Sequence, residues 1–402
     1  MSELSTQLIH HPYRPPAGFD SPQSPVYRAS TVIFPDTATL RTTDWKQKAG
    51  YTYGLHGTPG TFLLEERLCA LEGGLQCLLV PSGLAAISTT SMSLLRTGDE
   101  VLIPDNAYGP NKALAENELR AWGITHRYYD SQNAQALADM IGPATRLVWL
   151  EAAGSVTLEF PDLVALVRVC QARSVLTALD NTWGAGLAFR PFDLLPGSGE
   201  TLGVDLTVHA LTKYPSGGGD VLMGSIITRD PQLHQRLRAT RRHLGVGVSG
   251  NDVETILRGL PSIALRYQHH DTATRALAQW AATRPEFAQV LHPSLPQSPG
   301  HAYWRALCKQ GPGGAAGLFS VVFGPQHSSA RVDAFCDALQ LFKIGYSWGG
   351  PISLVVPYAL SEMRSERPDY LQAGTVVRFS VGLEDVADLQ ADLAQALQAA
   401  LH

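Results

Sequence analysis

Lys213 sits in His209-Ala210-Leu211-Thr212-Lys213-Tyr214-Pro215-Ser216-Gly217-Gly218-Gly219-Asp220, just past the strand-like run Val204-Asp205-Leu206-Thr207-Val208. Lysine is strongly hydrated and seldom buried without a partner or a task. One task that suits it is a Schiff base, in which its amine condenses with a carbonyl. The triple glycine behind it predicts a segment too flexible to be core. Asp180 ends a second apolar run, Leu176-Thr177-Ala178-Leu179, at the kind of strand end where ligands meet a parallel sheet. A carboxylate there can pair with a protonated pyridine nitrogen, which pyridoxal phosphate (PLP) requires alongside its lysine.

Three more stretches carry compatible chemistry. Leu78-Leu79-Val80-Pro81-Ser82-Gly83-Leu84-Ala85-Ala86-Ile87 reads as strand, turn and helix start. Backbone N–H groups at such a helix N-terminus favour an anion, and Gly83 lets a phosphate come close, with Leu84 donating its own N–H. Tyr108 emerges after the strand Glu100-Val101-Leu102-Ile103-Pro104, where its ring can lie on a flat heterocycle. Arg378 opens the strand Arg378-Phe379-Ser380-Val381-Gly382. Its guanidinium is suited to gripping a carboxylate through two parallel N–H bonds.

The elements that must position these groups follow from pattern. Apolar strands alternate with amphipathic helices such as Leu163 to Gln171, which predicts a mostly parallel sheet covered on both faces. A long helix from about Asp252 to Arg284, kinked near Pro261, carries the chain into a smaller α+β domain with strands at 318–323 and 376–381. Residues 1–55 are proline-rich and read as an extended arm; residues 56–255 form the α/β domain and 256–402 the smaller one. A helix after Gly60 is expected to be capped by Thr61. Gly and Pro punctuate 194–200 into a loop to which no function attaches. His269 and His270 are adjacent on a helix and read as surface histidines, not a metal pair.

At 402 residues the chain is long enough for two or three domains. Hydrophobic content of 45%, charged content of 17% and a net charge of −5 give no reason to expect nucleic acid or an anionic membrane. Cys69, Cys77, Cys170, Cys308 and Cys336 show no paired spacing, which points to reduced thiols and no metal. The start lacks a signal-peptide pattern, and the most apolar window, 77–95, is too broken to span a bilayer. A soluble, cytoplasmic protein is expected.

Taken together, Tyr53-Gly54-Leu55-His56-Gly57-Thr58, Pro81-Ser82-Gly83-Leu84, Leu179-Asp180-Asn181-Thr182-Trp183, Thr212-Lys213-Tyr214, Tyr346-Ser347-Trp348-Gly349-Gly350 and Arg378-Phe379-Ser380-Val381-Gly382-Leu383-Glu384-Asp385 resemble the cysteine/methionine-metabolism family of PLP enzymes. The resemblance spans almost the whole chain. It implies a fold-type-I PLP transferase: a mostly parallel central sheet, an extended N-terminal arm and a smaller α+β C-terminal domain. It implies Lys213 and Tyr108 as catalytic residues. Lys213, Asp180, Tyr108, Ser82, Gly83, Leu84, Thr212 and Tyr53 would bind PLP, and Arg378, Ser347, Trp348 and Tyr53 the substrate. The Ser347-Trp348 pair resembles members that release a thiolate from Cβ, so β-elimination of L-cystathionine to L-homocysteine, pyruvate and ammonia is expected.

The resemblance also implies a homotetramer, a dimer of dimers in which Tyr53 reaches the phosphate of a neighbouring subunit. Many members have arginines where this chain has Leu55 and His56, which leaves open what holds the phosphate. Alternatives are a broader cysteine-S-conjugate β-lyase or cysteine desulfhydrase, a γ-lyase releasing 2-oxobutyrate, and a PLP-binding regulator with little turnover. A dinucleotide-binding reading fails for want of G-x-G-x-x-G after the first strand.

Overall fold

The computed structural model describes residues 3–10, 17–18, 21–44, 48, 50–364 and 366–401. Of the N-terminal prolines that suggested an arm, Pro12, Pro15 and Pro16 lie outside the described residues. The described part of that stretch is extended between two short helices, Leu4–Ile9 and Thr37–Thr42. Leu8 of the first is fully buried and packs into the same core as Leu63, Leu64 and Leu68. Further on, Ile33 is 91% accessible.

Seven strands form the main sheet: β1 (Gln76–Val80), β2 (Glu100–Pro104), β3 (Thr125–Tyr129), β4 (Thr145–Glu151), β5 (Leu176–Asp180), β6 (Leu206–Ala210) and β7 (Gly224–Thr228). Their spatial order is β1-β7-β6-β5-β4-β2-β3. Every pair is parallel except those made by β7, which runs antiparallel to β1 and β6. Strands such as β1, β2 and β7 are buried along nearly their whole length, as a sheet covered on both faces requires. Because β4, β5 and β6 run parallel, their carboxyl ends lie at one edge, which is why Glu151, Asp180 and Lys213 come together.

The helix Pro59–Glu72 starts at Thr58 and not at Thr61. Thr58 Oγ1 accepts the Thr61 N–H at 3.3 Å, and Thr61 Oγ1 accepts the Thr58 N–H at 2.7 Å. This reciprocal box satisfies two donors at once, and Pro59 fits the first turn because its missing N–H costs nothing there.

The expected kink at Pro261 is present as a 3₁₀ turn, Leu260–Ser262, between helices Gly250–Gly259 and Ile263–Ala281. On the second helix His269 is exposed and His270 is buried, its Nδ1 2.7 Å from the Val381 carbonyl oxygen. The surface reading of His270 is therefore corrected: the two rings point apart, and one points inward. Burial pulls the His270 pKa down to about 4.

A second sheet holds β8 (Phe287–Leu291), β9 (Leu318–Phe323), β10 (Lys343–Ile344), β11 (Leu354–Tyr358) and β12 (Thr375–Ser380), in the order β10-β11-β12-β9-β8. Its core is aromatic: Phe319 stacks on Phe379 at 4.8 Å, and Phe342 meets Phe379 edge-on at 5.3 Å. The architecture is α/β, with a mostly parallel sheet and a smaller domain, as expected. Among the described residues no helix is long and apolar enough to cross a membrane, and no group of three or more His, Cys, Asp or Glu could hold a metal.

Candidate active site

Lys213 follows β6 by three residues, its N–H donating to the Ala210 carbonyl at 3.0 Å. The segment is anchored despite its glycines, contrary to the flexible loop expected. Tyr214 is fully buried, and its hydroxyl accepts the Gly317 N–H at 2.8 Å. Packing on a neighbouring segment replaces what the glycines give away in local rigidity. Lys213 Nζ donates to Ser347 Oγ at 3.0 Å and lies 4.5 Å from the centre of the Trp348 ring. Burial, then the Arg378 charge, pulls the amine down to about 8, against the pull of Asp180. Ser347 holds its hydroxyl there from a backbone φ of +109°, a conformation a β-carbon disfavours and surrounding structure must impose.

A cavity of about 170 Å³ opens beside the amine. Ser82, Gly83, Leu84, Tyr108, Asp180, Thr212, Lys213 and Trp348 all line it. Ser82 caps the helix Gly83–Leu94, its Oγ accepting the Ala85 N–H at 3.0 Å. This leaves the Gly83 and Leu84 N–H groups without helical acceptors, and the hydroxyl proton of Ser82 free to donate. A β-carbon on Gly83 would fall 2.6 Å from that of Ala210, so the close approach of backbone to sheet demands glycine. Burial pushes the Asp180 carboxyl up, while hydrogen bonds from Thr182 and the charges of His209 and Lys213 oppose it. A cation placed beside it would complete the opposition.

Arg378 lies between two rings, 5.2 Å from Trp348 and 5.3 Å from Tyr358. It is 5% exposed, and its Nη1 donates to the Ser155 carbonyl at 3.3 Å. None of the ion pairs among the described residues includes it. A buried guanidinium without a carboxylate is costly unless a ligand supplies one.

Tyr53 is outside this cavity. It is 44% exposed and accepts a hydrogen bond from Ser30 at 3.2 Å. Leu55 and His56 lie elsewhere too, against Arg238, Arg241 and Arg242. Arg241 Nη1 donates to the Leu55 carbonyl at 2.7 Å.

Sequence reading missed Glu151 and Tyr358. Glu151 ends the apolar run of β4 just as Asp180 ends that of β5, so the same strand-end signal could have found it. Tyr358 had no local signal. It shares a face with Arg378 because Val356 is the register partner of Arg378 and Tyr358 stands two residues on.

The donors suit PLP: an amine of lowered pKa, a carboxyl for the ring nitrogen, an aromatic face, and free N–H groups for the phosphate. The model of the Cys/Met metabolism PLP-dependent enzymes matches residues 5–398. The chain belongs to this family. This member of the Cys/Met metabolism PLP-dependent enzymes is 38% identical over 413 residues to the cystathionine beta-lyase of Bordetella avium, covering 100% of each chain. It is 38% identical over 386 residues to a putative cystathionine beta-lyase of Rhizobium johnstonii, covering 95% of this chain and 92% of that one. At 32% identity, over 93% of this chain and 91% of the relative, it matches an L-alanine/L-glutamate racemase of Wolbachia pipientis. The crystal structure of metB from Corynebacterium glutamicum superposes with a TM-score of 0.88 at 28% identity, covering 99% and 98% of the two chains. The protein is a PLP-dependent enzyme of sulfur amino-acid metabolism.

Proposed function

We propose that the enzyme catalyses β-elimination of L-cystathionine: with water, the thioether gives L-homocysteine, pyruvate and ammonia. The observation that carries this reading is the row Lys213, Trp348, Arg378, in which an amine of lowered pKa and an unpaired guanidinium flank one ring. The naming of the 38%-identical relatives supports the choice of substrate.

In this reading Arg378 binds the substrate α-carboxylate, held flat between Trp348 and Tyr358, and so fixes which bond at Cα faces Lys213. Bound PLP supplies an electron sink for the pair left at Cα. Lys213 Nζ would take the Cα proton, and its pKa of about 8 leaves about a tenth of it neutral at pH 7, far more than an ordinary lysine. Ser347 orients that amine from 3.0 Å. The thiolate leaving Cβ then accepts a proton from Lys213 Nζ or from the Tyr108 hydroxyl. Gly83, Leu84, Ser82 and Thr212 hold the phosphate, Asp180 the ring nitrogen and Tyr108 the ring face. Tyr53, exposed and outside its own cavity, completes the site of a neighbouring copy in a cytoplasmic homotetramer. Exposed Ile33 and Leu222, 91% and 71% accessible, are surface that such an assembly would cover.

Removal of the Cα proton is shared with a racemase, and the Wolbachia relative gives that reading its one support. Product analysis of the PLP-loaded enzyme separates them. Pyruvate with homocysteine from L-cystathionine is expected. Cysteine with 2-oxobutyrate, or D-amino acid from L-alanine without keto acid, would overturn the assignment.

A further inference from the structure

Two acids stand side by side at the carboxyl edge of the main sheet. Glu151 and Asp180 are register partners at the ends of β4 and β5, and both line the cavity. The proposed reaction uses Asp180 and gives Glu151 no part. Yet Glu151 Oε2 accepts the backbone N–H of Tyr108 at 2.8 Å, across 43 residues of sequence. Tyr108 precedes the short helix Gly109–Leu114, so its N–H lies outside the helical ladder, and its own side chain makes no capping bond. Without Glu151 this N–H would lose its protein acceptor at the point where the chain turns to aim the ring.

We propose that Glu151 is a positioning residue that sets the Tyr108 ring against the face of the cofactor, acting as a hydrogen-bond acceptor and not as a charge. No ion pair among the described residues includes it. Burial above all, then the charges of Asp180 and Glu159, push the carboxyl well above its usual range, against the Tyr108 N–H and the more weakly acting Arg378, which favour its anion. Two adjacent carboxyls at one strand edge divide the labour: one is left to ionise against a cation, and the other stays a neutral acid whose carbonyl oxygen takes the N–H. Glutamine has that carbonyl, the same length and no charge. Leucine has the shape alone.

This rests on the reading of the cavity as the cofactor site, so the unsubstituted chain is titrated with PLP first. Absence of a saturable visible band there would refute the site and not the role of Glu151. In Glu151→Gln the affinity for PLP and the pH midpoint of the band should match those of the unsubstituted protein. In Glu151→Leu the affinity should fall by about 10-fold, the effect of one lost buried acceptor. In a Tyr108→Ala background the same Leu substitution should cost nothing further, because the group it positions is gone. Circular dichroism of each variant shows that it is folded. Should Glu151→Leu fail to fold, Glu151→Gln alone decides through its band. Loss of affinity or a moved midpoint in Glu151→Gln would overturn the proposal in favour of a charged role. Independent, multiplicative losses in the Tyr108→Ala and Glu151→Leu pair would overturn it in favour of a purely structural one.

Discussion

The two sheets divide the work of the molecule unequally. The parallel main sheet brings Glu151, Asp180 and the Lys213 segment to one edge, because parallel strands joined by helices all end on the same side. The smaller sheet is almost wholly apolar and mostly antiparallel, with phenylalanines at its centre. It contributes two strand residues, Arg378 and Tyr358, and the turn that holds Ser347 and Trp348. Consecutive residues of β12 show the contrast: Arg378 faces the Trp348 and Tyr358 rings and Phe379 faces the aromatic core. A parallel edge concentrates titratable groups, and an antiparallel strand can present a charge on one face while its other face holds the domain together.

Substitutions break this division in order of size. Lys213→Ala should lower turnover by about 10³-fold or more and abolish the covalent visible band, while the melting temperature of the apoprotein at neutral pH should not fall. Phe379→Ala should cost about 3–5 kcal/mol of stability, as for a large buried aromatic. Urea denaturation reads that loss, and kcat per folded molecule should stay close to that of the unsubstituted enzyme. If kcat falls with stability, the two faces of β12 are not separable. Arg378→Lys keeps the charge but loses the planar fork between two rings, so kcat/KM should drop by about 10- to 100-fold with little change in urea midpoint. A stability loss as large as that of Phe379→Ala would contradict the comparison.

The smallest effect is one of pH. The amine of Lys213 is lowered from 10.5 to about 8, so its neutral, reactive form is fully present above that value and lost as pH falls through it. The rate at which apoprotein acquires the visible PLP band should therefore rise with pH and level off just above 8. A rate still climbing towards 10 would mean an exposed, unperturbed lysine. Linkage carries the same sign: a lysine whose folded pKa is depressed destabilises the fold below about 8 and ceases to do so as pH rises towards 10.5.

Much of the site was legible because its chemistry sits at strand ends, and strands announce themselves locally. The reading from sequence found the stretches bearing Asp180, Tyr108 and Lys213, which line one cavity, and the strand bearing Arg378, which meets Trp348 of its wall. It misplaced the helix cap by three residues, since Thr58 and Thr61 both carry the capping hydroxyl and only the paired bonds tell them apart. It placed His270 on the surface, because a mixed helix face does not announce that Val381 packs against it. It took the Lys213 loop for flexible, because the bond from Gly317 to Tyr214 closes over 103 residues.

Sequence alone, then, pointed to the main element types, to Asp180 and Lys213 beside their strand ends and to the family, all of which rest on short-range periodicity and residue chemistry. Tertiary structure alone decided who stands beside whom. The register of β4 on β5 makes Glu151 the neighbour of Asp180, and the ladder of β11 on β12 puts Tyr358 over Arg378. Such pairings are set by strand order and by the burial of faces contributed from distant parts of the chain, and no local pattern encodes them.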